Sequence, residues 1–237
     1  MQYQNYIFDL YGTLVDIRTN ENSPLLWKRT SLWYKEHGAL WQPKELWNCY
    51  LDYCHQEQSV FSDLLAEIEL RSVFAALFRE KGVDPDPLLV EETARFFRIC
   101  SVKKLRLYPW VLPTFSRLRE NGRRLFLLSN AQACFTESEL RALSLEDQFD
   151  GILLSSDVGV KKPSPKIMQT LLDRFQLTVS DCLMIGNDPF TDIAVASSFG
   201  MDSLYLKTAT SPQNILPENA TFCILDEDYS KLNLLLQ

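Results

Sequence analysis

Four short stretches hold residues whose types and spacing suit chemistry on a charged group. The first is Tyr6-Ile7-Phe8-Asp9-Leu10-Tyr11-Gly12-Thr13-Leu14, an apolar run that ends in a carboxylate and then a glycine turn. An apolar run so near the start reads as a buried parallel strand. Open α/β sheets place their ligand crevice at the carboxyl ends of such strands, which is where Asp9 falls. The others are Leu127-Leu128-Ser129-Asn130, Gly159-Val160-Lys161-Lys162-Pro163 and Met184-Ile185-Gly186-Asn187-Asp188-Pro189-Phe190-Thr191-Asp192-Ile193, each at or just after a hydrophobic strand. Singly, each residue also has a plain structural reading. Thr13 and Ser129 suit turns, Asp192 suits the first turn of a helix, where the dipole favours a carboxylate, and Lys162 before a proline suits a surface. Asn130 either binds substrate or tolerates a left-handed turn.

The elements around these residues follow from periodicity and punctuation. Asn22-Ser23-Pro24 is a helix start, with Ser23 as cap and Pro24 at the first position, and that helix runs to Gly38. A second begins at Pro43 and carries Leu46, Tyr50 and Tyr53; a third holds Leu64, Leu65, Ile68, Phe74, Leu77 and Phe78 and stops at Gly82. A fourth follows Asp86-Pro87 with Leu88, Val90, Phe96 and Phe97. Residues 17–105 thus read as a helical insert without a strand. Four of the five tryptophans, Trp27, Trp33, Trp41 and Trp47, lie in it; they read as packing between helices, or more sharply as one or two pocket-lining rings. Lys103 to Tyr108 reads as the return hinge, with Lys103, Lys104 and Arg106 as solvated surface. From Val111 helices alternate with strands at 124–129, 151–155, 182–186, 203–206 and 221–225, and Ser164 caps a helix with Pro165 at its first position. Parallel neighbours need crossovers, so this alternation predicts an α/β, doubly wound parallel sheet.

A chain of 237 residues with 46% hydrophobic content can bury a sizeable core. The formal net charge of −7 argues against a general nucleic-acid binder and leaves small anionic substrates open. Six scattered cysteines without a C-x-x-C pair or a histidine at ligand spacing read as reduced, mostly buried thiols. The amino end enters a strand directly, and no apolar run approaches membrane-spanning length; the expectation is a cytoplasmic protein with no membrane partner, as a monomer or homodimer.

Asp-x-x-Gly-Thr-Leu after a hydrophobic strand resembles the first motif of the haloacid dehalogenase-like hydrolases, and the three later stretches follow in that family's order. The resemblance implies a Rossmann-like core over residues 1–16 and 106–237, with residues 17–105 as a helical cap domain. It implies that Asp9 is a nucleophile forming an aspartyl intermediate. Thr13 and Ser129 would donate to the transferring group, and Lys162 would offset charge on it and on the nucleophile. Asp188, assisted by Asp192, would hold Mg²⁺ with Asp9 and the backbone carbonyl of Tyr11. Hard oxygen ligands and retained waters suit magnesium. A small phosphorylated metabolite would be the substrate.

Two residues depart from the family pattern. Tyr11 stands where family phosphatases usually have a second Asp, which protonates the leaving oxygen and then activates water. A tyrosine can donate a proton but is a poor base at neutral pH. A phosphatase so built should prefer esters whose leaving group departs easily, such as acyl or aryl phosphates. Tyrosine here also resembles the 2-haloacid dehalogenases, in which Asp9 would attack carbon without a metal and a cap arginine, with Arg29 as candidate, would assist. Against this, Asp188 and Asp192 pointed at a third acid are hard to tolerate without a cation. Asn187 is the second departure, since some members carry Asp directly after that glycine. Together the two permit a third reading, a catalytically weak protein that binds a phosphorylated ligand.

Overall fold

The computed structural model describes residues 3–59, 64–215, 217–226 and 228–232. The chain starts with β1 (Asn5–Phe8), then β2 (Val15–Thr19) and four helices, α1 (Pro24–Glu36), α2 (Pro43–Ser59), α3 (Leu70–Arg79) and α4 (Pro87–Ser101). β3 (Val102–Leu107) returns the chain to α5 (Val111–Glu120), β4 (Arg124–Ser129), α6 (Ala133–Ala142), β5 (Gly151–Leu154) and the short α7 (Ser155–Val158). There follow α8 (Pro165–Phe175), β6 (Cys182–Gly186), a π turn at Pro189–Ile193, α9 (Ala194–Ser198), β7 (Asp202–Leu206) and β8 (Phe222–Ile224).

Six strands form one parallel sheet in the order β5-β4-β1-β6-β7-β8. Both faces of it are covered, which is why its strands read as unbroken apolar runs. Tyr6 and Phe8 pack on one side with Phe115 and Leu118 of α5, while Ile7 packs on the other with Ile167 and Met168 of α8. The chain builds outward from β1 in opposite directions, so the reversal of strand order lies at β1 and β6. Such a switch point leaves a crevice beyond the carboxyl ends of the strands. Asp9 continues β1 there, its backbone N–H donating to Ile185 O at 2.9 Å.

Helices α1 to α4 bury a largely aromatic cluster of their own, including Trp27, Tyr34, Trp41, Tyr50, Phe74, Phe78 and Phe97. Cys134 and Phe135 of α6 complete it, so the sheet layer supplies one wall of the helical layer's core. Trp27 and Trp41 are buried and Trp33 and Trp47 half-buried; none of the four lines the cavities at Asp9 or Tyr11. The packing reading of the tryptophans therefore describes them.

The structure corrects several expectations. The insert does contain strand: β2 and β3 pair antiparallel, with Asp16 opposite Arg106 and Arg18 opposite Lys104. Lys104 and Arg106 both bind the Asp16 carboxylate rather than facing only solvent, Arg106 from Nη2 at 2.9 Å. Helix α3 begins at Leu70, and Leu64 lies in an exposed turn. Residues 65–67 form instead a short backbone ladder with the loop before α8, through an Ala66–Val160 bridge and the bonds Lys161 N–H to Leu65 O (2.7 Å) and Glu67 N–H to Gly159 O (3.0 Å). Ser23 and Ser164 stand at the N-cap positions without side-chain capping bonds, whereas Asp86 caps α4 by accepting from Leu89 N at 2.8 Å. All six cysteines are free, but only Cys134 and Cys182 are buried and Cys223 is exposed. No helix among the described residues is long and apolar enough to cross a membrane.

Candidate active site

Asp9, Ser129 and Gly186 end three neighbouring strands, so the sheet register brings their loops together. The Asp9 carboxylate is 7% exposed. Its Oδ1 accepts from Lys162 Nζ at 2.8 Å and from Ser129 Oγ at 3.2 Å, and its Oδ2 lies 3.0 Å from Thr13 Oγ1. Gly12 takes φ +92°, and a Cβ there would strike Thr210 and Asn187, so only glycine permits this close turn. A cavity of ≈ 230 Å³ opens on the group, lined in part by Asp9, Lys162, Asp188, Asp192 and Thr210.

Lys162 is the pivot. The residue is 2% exposed, and its ammonium donates to Asp9 Oδ1, to Leu128 O at 2.8 Å and to Asp192 Oδ1 at 2.6 Å. Burial works against the charged lysine, but Asp192 and Asp9 outweigh it and hold its pKa above the ordinary value. Burial raises the Asp192 carboxyl, with Lys162 opposing. The second oxygen of Asp192 accepts from Asp188 N at 3.0 Å. This fold-back works because position 186 is glycine: a Cβ there would overlap the Asp192 side chain.

Metal chemistry is tested by the donor set. No group of three His, Cys, Asp or Glu side chains among the described residues forms a ready-made cage. Three carboxylates, Asp9, Asp188 and Asp192, nevertheless line the cavity against one ammonium, Lys162, an imbalance that suits a divalent cation. The lining offers hard oxygens, and magnesium completes its shell with waters, so the residues fit it. Asp188 Oδ1 caps the π turn by accepting from Phe190 N at 2.7 Å, and Oδ2 has no partner among the described residues. Asp188 is thus the better placed ligand. Asp192 also lines the cavity, with Oδ1 accepting from Lys162 and Oδ2 from Asp188 N.

Three further placements bear on the expectations. Asn130 is not in a left-handed turn; it lines the cavity, and its amide brackets the Lys162 backbone, Oδ1 accepting from Lys162 N at 2.6 Å and Nδ2 donating to Lys162 O at 3.0 Å. Arg29 lines a separate cavity with Trp33 and Phe96 and does not reach Asp9. The arginine beside the first motif is Arg98 of α4, over the Tyr11 ring with its Cζ 5.6 Å from the ring centre. The Tyr11 phenol turns away from Asp9 to donate to Glu139 Oε2 and lies 3.0 Å from Thr136 Oγ1. Arg98 Nε donates to Glu139 Oε1 at 2.6 Å. Burial first, then the Glu139 charge, push the Tyr11 pKa well up, so the phenol stays protonated. No local pattern marks Arg98 or Glu139 in the sequence; each is an ordinary charged position in an amphipathic helix.

A profile of the haloacid dehalogenase-like hydrolases matches residues 3–200. The chain belongs to that family, as the four motifs at strand ends and the doubly wound sheet already indicate. It is 32% identical over 134 residues to the glyceraldehyde 3-phosphate phosphatase of Pyrococcus abyssi, 56% of each chain, and 29% identical over 146 residues to the Methanopyrus kandleri protein of that name, 62% of each. These matches therefore span a little over half of the relatives' length. The (S)-2-haloacid dehalogenase 4A of Burkholderia cepacia is 23% identical over 218 residues, 87% of this chain and 84% of that one. Among solved structures, a 2-haloacid dehalogenase from Pseudomonas syringae superposes with TM-score 0.69 at 23% identity, covering 99% of this chain and 98% of that one. That likeness is one of fold.

Proposed function

We propose that the chain is a Mg²⁺-dependent phosphatase acting on a small phosphate ester through an aspartyl-phosphate on Asp9. The observation that carries the reading is the buried Asp9–Lys162–Asp192 array facing Asp188, three acids balanced by one lysine. Asp9 attacks phosphorus, a P–O bond forms to its carboxylate and the bond to the leaving alcohol breaks. Ser129, Thr13 and Lys162 hold Asp9 in place and stand close enough to donate to the phosphoryl oxygens as charge develops there. Asp192 and Asn130 keep Lys162 in position from either side. Asp9, Asp188 and the Tyr11 carbonyl would hold Mg²⁺, which when bound supplies positive charge against the repulsion between nucleophile and phosphate. Water then releases phosphate from Asp9. The relatives named as phosphatases of small phosphorylated metabolites support this reading.

Tyr11 is committed to Glu139, so it does not protonate the leaving oxygen. Rates should therefore rise steeply as the leaving group improves, with aryl and acyl phosphates ahead of alkyl phosphates. A second reading, 2-haloacid hydrolysis, is favoured by the same tyrosine and by the long match to the Burkholderia cepacia dehalogenase. The deciding experiment measures phosphate and halide release from a panel of esters and 2-haloacids, with and without Mg²⁺, beside Asp9→Asn. Phosphate release requiring both Mg²⁺ and Asp9 is expected. Halide release indifferent to chelator would replace the phosphatase, and equal rates on aryl and alkyl phosphates would remove the leaving-group argument.

A further inference from the structure

A second cavity, of ≈ 310 Å³, lies on the other side of Tyr11 and shares Tyr11 and Asn130 with the cavity over Asp9. We infer that it seats the alcohol that leaves, and that Glu21 and Glu67 make it select cationic or uncharged leaving groups over carboxylates. The inference rests on the phosphatase reading above.

Arg98 is the cation of this lining, and an arginine beside a reactive Asp would ordinarily suggest an anion site. Its charge is already met: Nε and Nη2 donate to the two Glu139 oxygens at 2.6 and 3.4 Å, and Glu21 lies 4.0 Å from Nη1. The amide donors are also engaged. Gln132 Nε2 donates to Ile68 O at 2.8 Å, while its Oε1 accepts from Leu70 N, and the Asn130 amide is held by Lys162. Thr136 is paired with Tyr11. Glu67 has one neutral donor, Ser155 Oγ at 2.6 Å. The lining therefore holds one guanidinium with Glu21 and Glu67, and Glu139 behind it already pairs that guanidinium. A carboxylate entering here loses its water and meets like charge with no free cation among the described lining residues, whereas an ammonium finds two acceptors. The substrate class is the phosphate monoester of an amino alcohol, with neutral hydroxyalkyl esters next and phosphorylated hydroxy acids last. Haloacids carry a carboxylate and are disfavoured on the same ground.

The test compares kcat/KM for three esters of equal length, 2-aminoethyl phosphate, 2-hydroxyethyl phosphate and phosphoglycolate, in the intact protein and in Glu67→Gln and Glu21→Gln. The ammonium also makes its alcohol a better leaving group, so the informative quantity is how the aminoethyl-to-glycolate ratio changes between proteins. The expected ratio is about tenfold or more, falling about threefold or more in each variant. A ratio unchanged in both variants, or a preference for phosphoglycolate, overturns the inference and leaves the phosphatase standing. If neither these esters nor p-nitrophenyl phosphate is hydrolysed with Mg²⁺, the phosphatase reading falls. Calorimetric binding of the same three compounds then still decides the charge preference, with tighter binding of phosphoglycolate overturning it.

Discussion

Tyr11 separates two designs that share a fold. Its phenol donates to Glu139 rather than facing Asp9, so Tyr11→Phe should lower kcat by less than about threefold. A true general acid would be missed by about 10²-fold or more. The same change leaves the buried Glu139 short of a donor, at a cost of about 1–2 kcal/mol. Steady-state kinetics and urea unfolding of one variant check both. Asp9, Thr13, Ser129 and Lys162 were legible in the sequence because each sits at a strand end or in a turn with local punctuation. Arg98 and Glu139 were not, because their meeting is made by the packing of α4 on α6, which no periodicity within either helix encodes. Arg29 was misplaced for the same reason: its distance to Asp9 depends on how α1 is oriented, and α1 turns it to another cavity.

At the scale of elements, one ionic pair ties α4 of the helical layer to α6 beside the sheet, and a second ionic cluster lies within the β2–β3 ribbon. The Arg98–Glu139 pair is buried, with side chains 11% and 7% exposed. Removing one partner strands a charge, so Arg98→Met should cost about 3–5 kcal/mol, and adding Glu139→Leu should recover part of that. Urea midpoints of the two single variants and the double variant measure the coupling. The Asp16 cluster between β2 and β3 is nearer to solvent. The Lys104 bond, with help from Arg106, holds the Asp16 carboxyl below its ordinary value despite some opposition from burial. A folded-state pKa below the unfolded value of about 3.9 contributes stability above that pH and loses it as pH falls through the folded value. The stability gap between the native protein and Asp16→Asn should therefore be full at pH 6 and shrink below about pH 4, as denaturant curves across that range would show. This strand pair escaped the sequence reading because Val15-Asp16-Ile17-Arg18 alternates over only four residues and Lys103-Lys104 breaks the alternation in β3. Helices α1, α2 and α4, with prolines at their starts, were easier to see.

Across the whole molecule, burial is graded. β1, β4 and β6 are almost wholly buried in the middle of the sheet, whereas β3 has no residue classed as buried. Native-state hydrogen exchange should accordingly find the slowest amides in β1, β4 and β6 and faster ones in the β2–β3 ribbon. Uniform protection across both sheets would contradict that order. The doubly wound architecture was legible from the alternation of apolar strands with capped helices. The reliance of the helical layer on Phe135 and Cys134 of α6 was not, since those residues look like any apolar stripe until their partners are known.

The ladder between residues 65–67 and the loop Gly159–Lys161 bears on modularity. The backbone that steadies the chain just ahead of Lys162 comes from inside the helical insert. A chimera that exchanged residues 17–105 for a relative's insert would also remove the backbone partners of the loop that leads into Lys162. In this chain the helical layer and the Lys162 loop are not separable parts.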